Sequence, residues 1–182
     1  HIREVGVELY QQMLEEAVAE AKSAGDIEDH IPDKWTPQID IGVPILIPSD
    51  YVSELGVRLS LYRRIANLID QTEIEAFAAE MIDRFGAIPE EVENLLETVA
   101  IKKLCSAAGV EKLDAGSKGA VISFRNNEFN NPAGLVEFIN AHVGTIKIRP
   151  DHKLIFMRKW EDAATRLVGV QYLIKELCKI AA

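Results

Sequence analysis

Hydrophobic side chains recur every three or four residues over much of this chain, a pattern typical of amphipathic helices. The pattern predicts four such helices in the first part of the chain: 5–24, about 53–69, 72–85 and 89–108. Thr72 and Glu75 have the spacing of a capping box, and Gly86 suits a left-handed helix end. The first hundred residues are therefore expected to be mainly helical.

Alternation of hydrophobic and polar residues, which is typical of strands, appears in three places. Residues 39–43 alternate, but Pro44 and Pro48 have no backbone N–H, so this segment is predicted to lie at a sheet edge or a bulge. Two hairpins are predicted over 110–125 and 145–160, where proline at the second turn favours a type I geometry.

The rest of the pattern completes an α+β fold, with several amphipathic helices packed on small antiparallel β-hairpins. A short helix is predicted over 132–143, and a terminal helix begins near Trp160. Hydrophobic residues follow three-four spacing along the terminal helix, which indicates a buried stripe or a coiled-coil seam. Residues 26–37 resemble a linker, so we predict an N-terminal helix and linker over 1–36 and a folded domain over 37–182.

Charge is unevenly distributed along the 182 residues. The chain has 20 Lys and Arg against 29 Asp and Glu, a net charge of −9, which opposes non-specific attraction to nucleic acids or anionic membranes. Residues 1–34 and 70–100 are acidic, and residues 145–182 are basic.

The sequence contains no recognisable catalytic, cofactor-binding or metal-binding motif. The sequence has no phosphate-binding loop and no nucleophile elbow, its four histidines are scattered, and its two cysteines lie far apart. Most carboxylates of 70–100 are expected to face solvent at helical spacing, where they have no reason to act as acids or bases. We therefore expect no catalytic residue, no cofactor and no metal in this chain, which is not predicted to be an enzyme.

The location of the protein is predicted from the same composition. No hydrophobic run approaches the roughly 18 residues of a membrane span, no leader opens the chain, and sparse cysteines suit a reducing compartment. The expectation is a cytoplasmic protein. Because the chain opens on His1 and a helical pattern begins almost at once, it is expected to be a piece of something longer.

The basic hairpin over 145–160 allows an alternative function. Four cations and two aromatic residues could neutralise and stack a nucleic-acid single strand: Arg149, Lys153, Arg158, Lys159, Phe156 and Trp160. The plainer interpretation is a solvated strand face above core aromatic residues.

Three strings of residues resemble a known family. They are Ile47-Pro48-Ser49-Asp50-Tyr51-Val52, then Arg58-Leu59-Ser60-Leu61-Tyr62-Arg63-Arg64-Ile65-Ala66, then Glu80-Met81-Ile82-Asp83-Arg84-Phe85-Gly86-Ala87-Ile88-Pro89. Their order and separation resemble the C-terminal (TRCF) domain of bacterial transcription-repair-coupling factors. The opening ten residues resemble the segment that joins the motor of those proteins to this domain. Ser53, Glu54 and Gly56 depart from the family pattern, so the second helix is expected to be capped differently.

The resemblance implies a regulatory domain without an active site of its own. In that family an ATP-dependent DNA translocase displaces stalled RNA polymerase and recruits the excision-repair protein UvrA through a UvrB-like module. The C-terminal domain clamps this module, competes with UvrA and restrains the motor, while other domains bind ATP and Mg. The resemblance implies that 1–36 continue from the motor domain and that 37–182 are the regulatory domain. From the net charge and the lack of a membrane span, no direct contact with nucleic acid or membrane is expected.

Within the family the clamp contacts belong to the Glu-x-x-Asp-Arg-Phe-Gly string, which here gives Glu80, Asp83 and Arg84. Helical spacing places these side chains opposite the hydrophobic stripe of their helix, which consists of Ile74, Phe77, Ala78, Met81 and Phe85. We expect Glu80 and Asp83 to meet basic residues of the module, and Arg84 an acidic group or a carbonyl. The alternative is that Glu80 and Arg84 merely pair with each other, which contributes about 0.2–0.5 kcal/mol.

Overall fold

The computed structural model of the protein describes residues 35–182. This part of the chain forms two compact units, residues 43–100 and residues 35–42 with 101–182. The predicted helix over 5–24 lies outside the described residues, and the predicted boundary after residue 36 stays a prediction.

Three helices build the first unit, α1 (Leu55–Ala66), α2 (Gln71–Phe85) and the first part of α3 (Glu90–Ala108), which continues into the second unit. Their apolar faces and the preceding loop form one core, which includes Ile47, Leu61, Tyr62, Ile65, Phe77, Met81, Val92 and Leu95. The phenol oxygen of Tyr62 accepts a 2.7 Å hydrogen bond from the backbone N–H of Ile47 within this core. This hydrogen bond therefore fixes the loop that precedes α1 to that helix.

The start of α2 differs from the prediction. Asp70 is the N-cap and accepts a 2.8 Å hydrogen bond from the N–H of Glu73. The Glu73 carboxylate in turn accepts one from the N–H of Ile69. The predicted capping box of Thr72 and Glu75 is therefore wrong, because an aspartate and glutamate pair two residues earlier satisfies the exposed N–H groups.

The other helix boundaries of the first unit lie at Ala66, Gly86 and Pro89. Helix α1 stops at Ala66 rather than near Ile69, whose side chain is exposed. Gly86 ends α2 as predicted and has a positive φ of 91°, which glycine tolerates best, but its ψ of −163° is extended instead of left-handed helical. Pro89 precedes α3, and its carbonyl accepts the first hydrogen bonds of that helix.

A single five-stranded sheet forms the centre of the second unit. Its strands are β1 (Gln38–Asp40), β2 (Val110–Gly116), β3 (Gly119–Phe124), β4 (Ile146–Ile148) and β5 (Leu154–Met157). The order is β1-β2-β3-β5-β4, with β1 parallel to β2 and the other pairs antiparallel. Both predicted hairpins are confirmed, and so is the edge position of β1. The hairpins join through β3 and β5 into one mixed sheet instead of separate small sheets.

Helices α4 (Pro132–Ala141) and α5 (Ala163–Ala181) complete the second unit, which confirms the α+β fold. The predicted stripe of α5 is buried, with Leu167, Val170 and Ile174 at most 2% exposed, so it is a core face of the unit rather than a coiled-coil seam. No helix between residues 35 and 182 is apolar and long enough to cross a membrane.

Candidate functional site

The three predicted site residues lie on the outer side of α2, and we call Glu80, Asp83 and Arg84 the charged triad. Asp83 and Arg84 are exposed and Glu80 is half-buried. The predicted hydrophobic stripe of the same helix turns inward, since Ile74, Phe77 and Met81 are buried and Ala78 and Phe85 are half-buried. The structure therefore brings the triad together on an accessible surface.

The main partner of Glu80 is a residue that the sequence analysis missed. Arg64, near the end of α1, donates two hydrogen bonds to the Glu80 carboxylate, at 2.5 and 2.9 Å. Arg84 adds a third at 3.2 Å, so the Glu80–Arg84 pair of the alternative interpretation is present but secondary. Hydrogen bonds from Arg64, then from Arg84, lower the pKa of Glu80 from 4.5 to about 2.

Asp83 and Arg84 have different surroundings. The Asp83 carboxylate makes no hydrogen bond or ion pair with any residue in the described part of the chain. The Arg84 guanidinium lies 4.8 Å from the ring centre of Phe85 and donates to Glu80 through Nη1. Among residues 35–182, the triad thus has one carboxylate without a partner, that of Asp83, and one guanidinium, that of Arg84, which contacts both Glu80 and Phe85.

Tyr51 supports the end of α2 beneath the triad. Its hydroxyl lies 2.9 Å from the carbonyl oxygen of Gly86 and 3.2 Å from that of Met81. Its ring meets Phe85 edge to face at 5.8 Å. The bond to Gly86 gives a carbonyl at the helix end a partner, and the bond to Met81 adds to a carbonyl inside the helix, so the two fix the turn that carries Asp83 and Arg84.

An open groove of about 510 Å³ runs between α1 and α2 beside Glu80. Its floor includes Phe77, and the Arg64 guanidinium lies 5.1 Å from the centre of that ring. Arg63 and Asn67 line the α1 side of the groove. The surface around the triad consequently extends from α2 onto α1.

The basic hairpin lacks the surface that the nucleic-acid alternative requires. Phe156 and Trp160 are only 3% and 4% exposed and pack against each other with ring centres 5.6 Å apart. Arg158 covers the Phe156 ring at 4.5 Å, and Arg149 is paired with Asp151. The structure therefore favours the plainer interpretation over the alternative, because the rings belong to the core of the second unit and offer no face on which bases could stack.

The cysteines lie in apolar helical surroundings, as predicted. Burial raises the pKa of the Cys105 thiol to about 12, and the Cys178 thiol donates to the carbonyl of Leu104 at 3.2 Å. Within residues 35–182, no group of three His, Cys, Asp or Glu side chains is arranged to hold a metal ion.

Comparisons with known proteins agree with the resemblance seen in the sequence. The model of the TRCF domain family matches residues 41–135, more than half of the chain and the whole of the charged triad. The transcription-repair-coupling factor of Rickettsia bellii (strain RML369-C) is 46% identical over 158 residues, and that of Escherichia coli (strain K12) is 31% identical over 175 residues. These matches cover 87% and 95% of this chain but only 14% and 15% of the relatives, so the chain spans a small part of their length.

A solved structure shares the fold. The crystal structure of the C-terminal domain of a transcription-repair coupling factor superposes with a TM-score of 0.69 at 20% identity, covering 84% of this chain and 98% of that one. The sequence match and the shared fold lead to the same conclusion: this chain belongs to the TRCF domain family.

Proposed function

We propose that this chain is the C-terminal regulatory domain of a transcription-repair-coupling factor and that it acts by binding another part of the same protein. Its partner is the UvrB-like module, which it clamps through the charged triad, so that the surface for UvrA is masked. The parent protein is an ATP-dependent DNA translocase that displaces stalled RNA polymerase and recruits nucleotide excision repair in the cytoplasm. ATP and Mg bind other domains of the parent, and this chain has no catalytic residue.

One observation carries the proposal. The charged triad lies on an accessible helix surface within the range matched by the TRCF family, supported from below by Tyr51 and from α1 by Arg64. Residues with exposed charges of both signs suit a contact between proteins, because complementary charges set orientation and rate of association.

A charged surface also suits a contact that must be released. Exposed ion pairs contribute little each and weaken with salt, so a competing partner can displace them. A clamp that shifts the resting state by about 1–3 kcal/mol is strong enough to inhibit and weak enough to open. Competition between UvrA and this chain for the UvrB-like module requires a contact of that strength.

The test is a binding titration of this chain with the UvrB-like module at low and high salt. We expect binding that weakens as salt rises and that is lost in the Glu80→Lys, Asp83→Lys double variant. A matched control carries the same change of charge at Glu111 and Glu137, two exposed carboxylates of the second unit, and should bind like the original chain. Equal affinity of the triad variant and the original chain would refute the assignment of the site.

A second measurement addresses regulation in the full-length parent. Glu80→Lys with Asp83→Lys should raise the ATPase rate of the motor and the affinity for UvrA, because both are restrained by the same clamp. Unchanged ATPase rate and UvrA affinity, in a variant that no longer binds the module, would show that the contact exists but does not inhibit.

A further inference from the structure

We infer that Arg64 and Glu80 are positioning residues, and that Asp83 and Arg84 are the groups that contact the partner. The inference rests on the proposed function and specifies its partner more closely. That partner would offer a basic side chain to Asp83 and a carboxylate or carbonyl oxygen to Arg84. Glu80 would then act through the guanidinium groups that it holds, and not by direct contact.

Hydrogen bonding at Glu80 is the first argument. Its Oε2 atom accepts from Nη1 of Arg64 and from Nη1 of Arg84, and its Oε1 atom accepts from Nη2 of Arg64. A carboxylate has about four acceptor positions, so these three bonds leave little capacity for a partner. The charge of Glu80 is likewise opposed by two cations of its own chain.

The second argument is the geometry of Arg64. Its guanidinium binds Glu80 in the bidentate fork that fixes both groups in one plane and orientation. Phe77, only 2% exposed, lies under the same guanidinium at 5.1 Å. Because Arg64 rests on a core residue of the first unit, its guanidinium fixes where the Glu80 carboxylate lies.

The third argument is what remains available on the surface. Arg84 uses Nη1 for Glu80 and lies over Phe85, which leaves its Nε and Nη2 groups as oriented donors. The carboxylate of Asp83 is exposed and has no hydrogen bond or ion pair to any residue among 35–182. A preorganised cation next to an unpaired carboxylate loses little side-chain freedom on binding, which favours association.

A double-mutant cycle separates positioning from direct contact. Titrations with the UvrB-like module would compare Arg64→Met, Glu80→Gln and the double variant with the original chain. We expect each single change to weaken binding by about three- to fivefold, the upper range for one exposed ion pair. The double variant should be no weaker than the worse single variant, because both changes remove the same support. Asp83→Asn should weaken binding by a similar factor in the original chain and in Arg64→Met.

Arg149 provides the matched control. It lies in the second unit, is exposed, and pairs with the Asp151 carboxylate as Arg64 pairs with Glu80. Arg149→Met removes the same charge and should leave affinity unchanged. Arg64→Lys keeps the charge but loses the bidentate fork, so it should fall between the original chain and Arg64→Met.

Each other result overturns a specific statement. Independent, multiplicative losses for Arg64→Met and Glu80→Gln would show that Glu80 contacts the partner directly. An equal loss for Arg149→Met, or full affinity for Arg64→Lys, would show that only total charge matters. If the original chain itself does not bind the module, the proposed function fails, and this inference fails with it.

Discussion

Substituting Gly169 by alanine tests how closely α5 packs on the second unit. A Cβ atom at this position would lie 2.4 Å from Cε2 and Nε1 of Trp160 and 2.6 Å from Cζ2 of the same ring. Such distances are shorter than any van der Waals contact, so the ring or the helix must move. Trp160 is only 4% exposed and its ring centre lies 5.6 Å from that of Phe156, so the ring has little room to move.

Two opposing effects decide the sign of the change. Alanine is a better helix former than glycine by about 1 kcal/mol in a helix interior, which favours the variant. Adding a methyl group to a tightly packed core costs about 1–3 kcal/mol. We therefore expect Gly169→Ala to lower the free energy of unfolding of the second unit, by up to about 2 kcal/mol.

Urea unfolding followed by tryptophan fluorescence measures this change. Both tryptophans, Trp35 and Trp160, belong to the second unit, so the signal reports its unfolding. Val168→Ala is the control, because Val168 is on the same helix, is 66% exposed, and gains a few tenths of a kcal/mol in helix propensity. A Gly169→Ala variant as stable as Val168→Ala, or more stable than the original chain, would refute the close packing of Trp160 on α5.

Three further measurements follow from buried or paired groups. Tyr62→Phe leaves the buried N–H of Ile47 without its acceptor and should lower the free energy of unfolding by about 1–3 kcal/mol, measured by circular dichroism in urea; an unchanged midpoint would contradict it. The pKa of Glu80 in the folded chain is about 2, below its ordinary value of 4.5. Its ionised form therefore stabilises the folded chain above about pH 4.5, and this contribution is lost as the pH falls towards 2. Glu80→Gln should therefore show a shallower fall in melting temperature over that range, and identical profiles would argue against the Arg64 pairing. Cys105, whose pKa is raised to about 12 by burial, should resist alkylation near neutral pH until the chain unfolds, while labelling at the rate of a free thiol would place it at the surface.

The helices and hairpins of this fold could be predicted because their signals are local. The stripe of α2 is spaced so that Ile74, Phe77 and Met81 share one face, and the structure buries all three. The N-cap of α2 also has a local signal, yet its prediction at Thr72 is wrong. Asp70 and Thr72 both offer oxygen acceptors at plausible spacing, so the sequence alone does not decide between them. In the structure Asp70 takes the role, with Glu73 three residues later.

Pairings between distant residues could not be predicted in the same way. Strand β1 pairs with β2 in parallel across about seventy residues, and no local pattern specifies that partner. The contact between Arg64 and Glu80 is similar, since the two residues lie sixteen positions apart on different helices. Helical spacing identified Glu80 and Arg84 as neighbours but had no means to identify Arg64, which depends on how α1 and α2 pack.

The position of the charged triad depends on aromatic rings as well as on ion pairs. Arg64 lies over Phe77 and Arg84 over Phe85, so each guanidinium that binds Glu80 also rests on a ring of the core or its margin. Salt screens exposed ion pairs but has little effect on contacts with buried apolar surface. The arrangement of the triad should therefore persist at salt concentrations that weaken binding of a partner. A fall in affinity with salt then measures the charges exchanged between the two surfaces, rather than a loss of order within this one.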